Sequence, residues 1–162
     1  YEPYVFAYDQ QDSDDPDSMI AHYRSAGIPV VACPKPKGFS PRVLLRFISF
    51  IYHNDICIVH AHNSGSLIYG AIAKFLTVGR FKLVFTQHSL VHLDRKRRHR
   101  YYERFFNLFV DKLTVVSEDT LAGYEELGFS KKKIPVIKNG VDFLGEPVEQ
   151  SNCRVKRLAL LD

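Results

Sequence analysis

No run of apolar residues in this chain approaches the roughly 18 needed to cross a bilayer, so the sequence offers no membrane-spanning helix. The N-terminal "YEPYVFAYDQ" has neither a basic start nor a signal-like apolar core, and no targeting segment is expected. Cysteine is scarce. Cys33, Cys57 and Cys153 are odd in number and far apart, which argues against a disulfide framework and reads as buried thiols in a reducing compartment. The seven histidines are too scattered for a zinc signature, and His60-x-His62 sits at a strand end without further ligands beside it. Internal repeats and low-complexity tracts are absent as well. What remains is a chain of 162 residues, 46% apolar and 25% charged, enough for one domain with a real core.

The periodicity alternates between two kinds of segment. Short β-prone runs at Tyr4 to Tyr8, Ile28 to Cys33, "ICIVHAH", "KLVFTQH", "KLTVVS" and "IPVIKNG" are separated by segments of helical spacing. Asp15 could cap the first helix, with Pro16 in its first turn and Gly27 at its stop. Ser40-Pro41 opens the second helix, where Val43, Leu44, Phe47, Ile48 and Ile51 recur on one side and Asn54-Asp55 ends it. Asn63-Ser64-Gly65 leads into a third helix that stops near Gly79, a fourth is expected over residues 97 to 111, and Ser117 caps a fifth. The strands are continuous and rich in Val and Ile, and "ICIVHAH" looks buried on both faces. That pattern predicts an α/β fold: a doubly wound, mainly parallel sheet with helices on both faces.

The two ends look unfinished. Residues 1–143 are expected to form a Rossmann-like domain lacking its first strand and the loop after it. Residues 144–162 are expected to be a linker followed by either the start of a further domain or a returning edge strand.

In an open parallel sheet, ligands bind beyond the carboxyl ends of the strands. Polar residues collect there: His60, His62, Asn63 and Ser64 on the third strand, Gln87, His88 and Ser89 on the fourth, Ser117 on the fifth, Asn139 and Gly140 on the sixth. Each also has a plain structural reading. Ser117 is a helix cap, Asn139-Gly140 a turn, His60 a satisfied core residue, and His88 taken alone is as easily structural as functional.

The ordered set "VHAHNSGSLIYGAIAKF", "VFTQHSL" and "DKLTVVSEDTLAGYEELGFSKKKIPVIKNGVDF" resembles the N-terminal domain of a family 4 retaining glycosyltransferase of the GT-B type, over roughly residues 20–143. The resemblance implies two Rossmann-like lobes and sugar transfer from a nucleotide-sugar donor to a glycan or lipid-linked acceptor, in surface polysaccharide or glycolipid synthesis. It implies cytoplasmic placement, with the inner face of the plasma membrane as a possible site. The nucleotide-sugar is a co-substrate, and neither a cofactor nor a metal is expected. Carried over, His88 faces the cleft near the transferred sugar as the catalytic-site candidate. Asn63, Ser64, Gln87, Ser89, Ser117, Asn139 and Gly140 are the donor- or acceptor-binding candidates. The family's glycine-rich loop and its second, donor-binding lobe are not found in these residues, so the piece alone is expected to be inactive. The competing readings are a sugar-nucleotide epimerase of GT-B shape and a non-catalytic module that binds anionic membrane or nucleic acid.

The net charge of +4 is modest, but its excess is local. Arg95, Lys96, Arg97, Arg98 and Arg100 cluster in "DRKRRHR", which is either a solvated face or an anion-capturing one, such as peripheral contact with anionic lipid. Nucleic acid is not expected, because no recognition helix or stacking platform accompanies these charges. In the following helix Tyr101, Phe105, Phe109 and Leu113 repeat every four residues, with Tyr102, Phe106 and Leu108 beside them. This apolar side is expected to pack on the sheet.

Overall fold

The computed structural model describes residues 2–8, 18–35, 37–90, 97–129, 134–138 and 157–161. The chain runs β1 (Glu2–Ala7), α1 (Met19–Ser25), β2 (Val30–Ala32), α2 (Pro41–His53), β3 (Ile58–His62), α3 (Asn63–Leu76) and β4 (Lys82–Gln87). It continues through α4 (Arg97–Phe106) with a 3-10 turn at Asn107–Phe109, then β5 (Lys112–Val115), α5 (Glu118–Glu126) and β6 (Arg157–Leu161). All pairings are parallel, in the order β2-β1-β6-β3-β4-β5. The α/β class expected from the strand composition is what forms.

Local chemistry sets most of the boundaries. Helix α1 begins later than expected, because the Ser18 hydroxyl accepts the Ala21 N–H at 3.1 Å and so supplies the cap. Asp15 and Pro16 lie outside the described residues. Gly27, at φ +75°, takes the left-handed position after the helix, and its N–H is donated to the Arg24 carbonyl at 3.0 Å. Pro41 opens α2, but Ser40 does not cap it through its side chain; its N–H is donated to the Tyr69 hydroxyl at 2.8 Å. Helix α2 buries Val43, Leu44, Phe47, Phe50 and Ile51, with Ile48 partly buried.

Two expectations about strands change. "IPVIKNG" supplies only an isolated bridge, Val115 to Val136, and Asn139 and Gly140 lie outside the described residues. The returning C-terminal strand is not at an edge. β6 pairs with β1 on one side and β3 on the other, Leu158 opposite both Pro3 and Ile58.

The sheet's two faces differ. Val59, Ala61, Leu83 and Phe85 are fully buried in one cluster with Phe47 and Ile51 of α2 and Leu67 of α3. The alternate residues Ile58, His60, His62 and Val84 are only half-buried, so β3 is not covered equally on both faces as its apolar run suggested. Asp111 ties α3 to β4: its carboxylate accepts from Lys74, from the Leu83 N–H at 2.7 Å and from Lys82 at 3.3 Å. Burial alone would raise its pKa, but these donors outweigh burial and hold it below the ordinary carboxylate value.

The largest departure is α4. Its apolar side does not pack on the sheet: Tyr101, Tyr102, Phe105 and Leu108 are 69, 55, 56 and 78% exposed, while Glu103 is only 2% exposed. The helix is turned by its polar residues. Glu103 and Asn107, four apart on one side, both reach buried partners, whereas Phe106 and Phe109 pack at the margin of the core. Arg104 also holds the helix in this orientation. It donates to the carbonyls of Leu127 and Gly128 at 3.2 and 2.6 Å at the end of α5, and its guanidinium lies 5.5 Å from the centre of the Phe129 ring. Arg104→Ala is expected to lower stability by about 1 kcal/mol in thermal or denaturant unfolding.

Candidate functional site at the carboxyl edge of β3 and β4

Strand alternation puts His60 and His62 on the same face of β3, and the register sets Thr86 opposite His62 and Thr114 opposite Thr86. The result is a polar row on the half-covered face. His60 Nε2 lies 2.7 Å from Thr86 Oγ1, which lies 2.7 Å from Thr114 Oγ1, and Thr114 donates to the Phe85 carbonyl at 3.4 Å. A carbonyl can only accept, so the direction of the chain follows. Thr86 donates to Thr114, and the neutral His60 ring donates from Nε2 to Thr86. Beside this row, His62 Nδ1 and His88 Nε2 are 2.9 Å apart. The His60 and His62 rings are 4.2 Å apart, and those of His62 and His88 5.1 Å apart.

Burial and the two neighbouring imidazoles disfavour the protonated form of His60. The His60 pKa is pushed down to about 4, first by burial and then by the charges that His62 and His88 would carry. The His62–His88 hydrogen bond needs one nitrogen without a proton, so the pair cannot hold it with both rings cationic. The stability consequence has a definite sign. The unfolded chain protonates His60 near its ordinary value of about 6.5, the folded chain only near 4. The stability due to neutral His60 is therefore complete above about pH 6.5 and is lost as the pH falls toward 4. Asp111 contributes in the same direction, but below the ordinary carboxylate range, so the two windows are separable. We expect the thermal midpoint to fall by roughly 4 °C between pH 6.5 and 5, allowing for partial solvent screening, and His60→Phe to flatten that slope.

Strand β3 passes into α3 with no loop. His62 is the N-cap, and Asn63 takes φ +67°, a left-handed conformation that asparagine tolerates better than most residues. Asn63 is exposed at this corner, at the N-terminus of a helix of 14 residues where backbone N–H groups favour anionic oxygens.

The remaining expected site residues divide. Ser64 is half-buried and donates to Glu103. Gln87 is fully buried and donates from its amide to Glu103 Oε1 at 3.0 Å, so its side chain faces the helices and not the rim. Ser89 is exposed at the rim. Ser117 acts as the N-cap of α5, accepting the Thr120 N–H at 3.1 Å, which is its plain structural reading. Of the basic residues, Arg98 is exposed, Arg100 is half-buried, Arg97 belongs to α4, and Arg95 and Lys96 lie outside the described residues.

Sequence reasoning missed a second polar group on the opposite face of the sheet. Glu103 accepts from Ser64, from Gln87 and from the Tyr124 hydroxyl at 3.0 Å, and Tyr124 accepts from Asn107 Nδ2 at 2.7 Å. Burial, followed by the neighbouring Glu103 charge, pushes the Tyr124 hydroxyl strongly up and keeps it protonated. One signal was available: Glu103 is the sole acid between Arg95 and Val110. A cavity of about 240 Å³ opens between α3 and α4 beside this group, lined by Ser64, Leu67, Ile68, Arg98, Tyr102 and Glu103 among others. Among the described residues, no group of three His, Cys, Asp or Glu side chains is arranged to hold a metal ion.

The fold is shared with solved structures. Anabaena Alr3699/HepE in complex with UDP and glucose superposes with a TM-score of 0.67 at 15% identity, over 87% of this chain and 45% of that one. The same protein in complex with UDP superposes at 0.66 and 15% identity, over 88% of this chain and 45% of that one. This chain thus spans less than half the length of HepE, and its fold is that of one half of a GT-B glycosyltransferase. No curated protein matches the sequence closely enough to count as a relative. The family model for Glycosyltransferase Family 4 matches residues 1–143, and the chain belongs to that family.

Proposed function

We propose that this domain is the acceptor-side lobe of a retaining hexosyltransferase that moves a sugar from a nucleotide-sugar to a glycan or lipid-linked acceptor in surface polysaccharide or glycolipid synthesis. The observation that carries the reading is the meeting of His62, His88 and Asn63 at the carboxyl edge of β3 and β4, where an open α/β sheet takes its ligands. HepE, a protein of the same fold, was solved with UDP and glucose, which supports a nucleotide-sugar donor here.

The chemistry suits a sugar. One nitrogen of His88 is engaged with His62, which leaves the ring's Nδ1 for a hydroxyl or for a donor oxygen. Asn63 offers an amide at a helix N-terminus, suited to hydroxyl or phosphate oxygens. Asn139 and Gly140, which lie outside the described residues, are assigned to donor or acceptor binding from the family resemblance. The basic residues Arg95, Lys96, Arg97, Arg98 and Arg100 are assigned to contact with anionic lipid at the inner face of the plasma membrane, at about 1 kcal/mol per cation near the surface.

The cleft needs a second lobe for the donor, since HepE is more than twice as long as the part this chain covers. A panel of nucleotide-sugars assayed with residues 1–162 alone is expected to give no turnover, while a longer chain carrying the second lobe transfers sugar with retention. Robust transfer by residues 1–162, or inversion by the longer enzyme, would refute the reading.

A further inference from the structure

We propose that the outward face of α4, together with the C-terminal end of α3, inserts into the interface of an anionic bilayer. This deepens the lipid contact assigned to the basic stretch and rests on that part of the reading; it does not depend on the sugar chemistry.

The face is apolar, aromatic and unpaired with the core. Tyr101 and Phe105 form one ridge, Tyr102 lies beside it, and Leu108 follows a turn later; all are more than half exposed. The patch continues onto α3. The Phe105 ring lies 5.9 Å from Phe109, and Phe109 lies 6.0 Å from Phe75, which is itself 67% exposed. Leu76 and Val78, which follow Phe75 in the chain, are 54 and 93% exposed. Val78 holds φ +53°, a conformation costly for a β-branched residue, and no packing compensates for it. Single exposed apolar residues are ordinary, but seven on α4, the 3-10 turn after it and the end of α3, bridged by the rings of Phe105, Phe109 and Phe75, mark an interaction surface.

Charge selects the occupant. Arg98, three residues before Tyr101 and four before Tyr102, shares this outward arc and makes no ion pair among the described residues. Arg95, Lys96 and Arg97 precede it in the chain. Aromatic rings mixed with arginines suit the headgroup layer of an anionic membrane, where rings sit at the boundary and cations meet phosphates. A second copy of the chain would bring the same cations against one another.

The chain contains no tryptophan, so Phe105→Trp installs its one tryptophan on this face, excited selectively over the tyrosines at long wavelength. Mixed with phosphatidylcholine–phosphatidylglycerol vesicles, it should shift its emission to the blue and be quenched by brominated acyl chains; with phosphatidylcholine alone it should change little. In vesicle sedimentation, Tyr101→Ser with Phe105→Ser should lose at least about tenfold in affinity while keeping a native circular dichroism spectrum. A charge variant with Arg95, Lys96, Arg97 and Arg98 changed to Ser should lose binding too. If only the charge variant loses binding, electrostatic contact stands and insertion is overturned. If the wild-type chain ignores anionic vesicles, both fail. A blue shift that depends on protein concentration without vesicles would assign the face to self-association and overturn the proposal.

Discussion

Replacing His88 by alanine in the two-lobed enzyme is expected to reduce kcat about 100-fold or more, with a much smaller change in KM. A positioned imidazole that hydrogen-bonds a reacting group commonly contributes 10²- to 10⁴-fold. His88 is half-buried at the rim and is held by His62 at 2.9 Å, so its direction is fixed before any ligand arrives. Removing His62 should have a weaker effect, since it would leave His88 in place but free to rotate. His88→Ala should hardly disturb folding, because the side chain contributes little to the core. Steady-state kinetics beside a thermal melt separate these outcomes. A kcat within about threefold of wild type, with an unchanged melt, would remove His88 from the machinery.

Glu103→Ala should be the most damaging single change to stability among the polar residues, by about 3 kcal/mol, or a fall in thermal midpoint of roughly 6–12 °C. Ser64, Gln87 and Tyr124 all donate to this carboxylate, and alanine would strand those donors in a buried setting. The Gln87 carbonyl oxygen already lacks a donor among the described residues, so the group is not fully satisfied even with Glu103 in place. Glu103→Gln keeps the volume and one acceptor oxygen and should cost less. The same change bears on the membrane face. Glu103 turned inward is what turns Tyr101 and Phe105 outward, so Glu103→Ala should also weaken vesicle binding. A midpoint within about 2 °C of wild type would show that the network does not hold α4.

The contrast between α2 and α4 shows how far the sequence could be read. In α2 the apolar spacing, Pro41 and Asn54 agree, and the buried face is the expected one. In α4 the apolar spacing is just as regular and points the wrong way. Periodicity finds the apolar side of a helix but does not say what lies opposite it. Here the outcome was decided by partners distant in sequence: Ser64, Gln87 and Tyr124, 39, 16 and 21 residues from Glu103.

The parallel sheet was legible from short Val- and Ile-rich runs, because strands of that kind are buried by helices in any arrangement. The central place of β6 was not, since nothing local in Arg157–Leu161 tells a central strand from an edge one. At the site, the rim position of His88 and Asn63 followed from the strand ends. The inward turn of Gln87 follows from strand alternation with Phe85, a two-residue period visible in "VFTQH". The threonines at 86 and 114 were hidden, because their meeting depends on the register between β4 and β5.

The most direct measurement is a crystal structure of the two-lobed enzyme soaked with an intact or non-hydrolysable nucleotide-sugar. The account predicts that the sugar ring lies against the carboxyl edge of β3 and β4, with a hydroxyl or the anomeric oxygen within about 3.2 Å of the His88 ring. A sugar bound elsewhere, with His88 still paired to His62 and facing empty solvent, would contradict it.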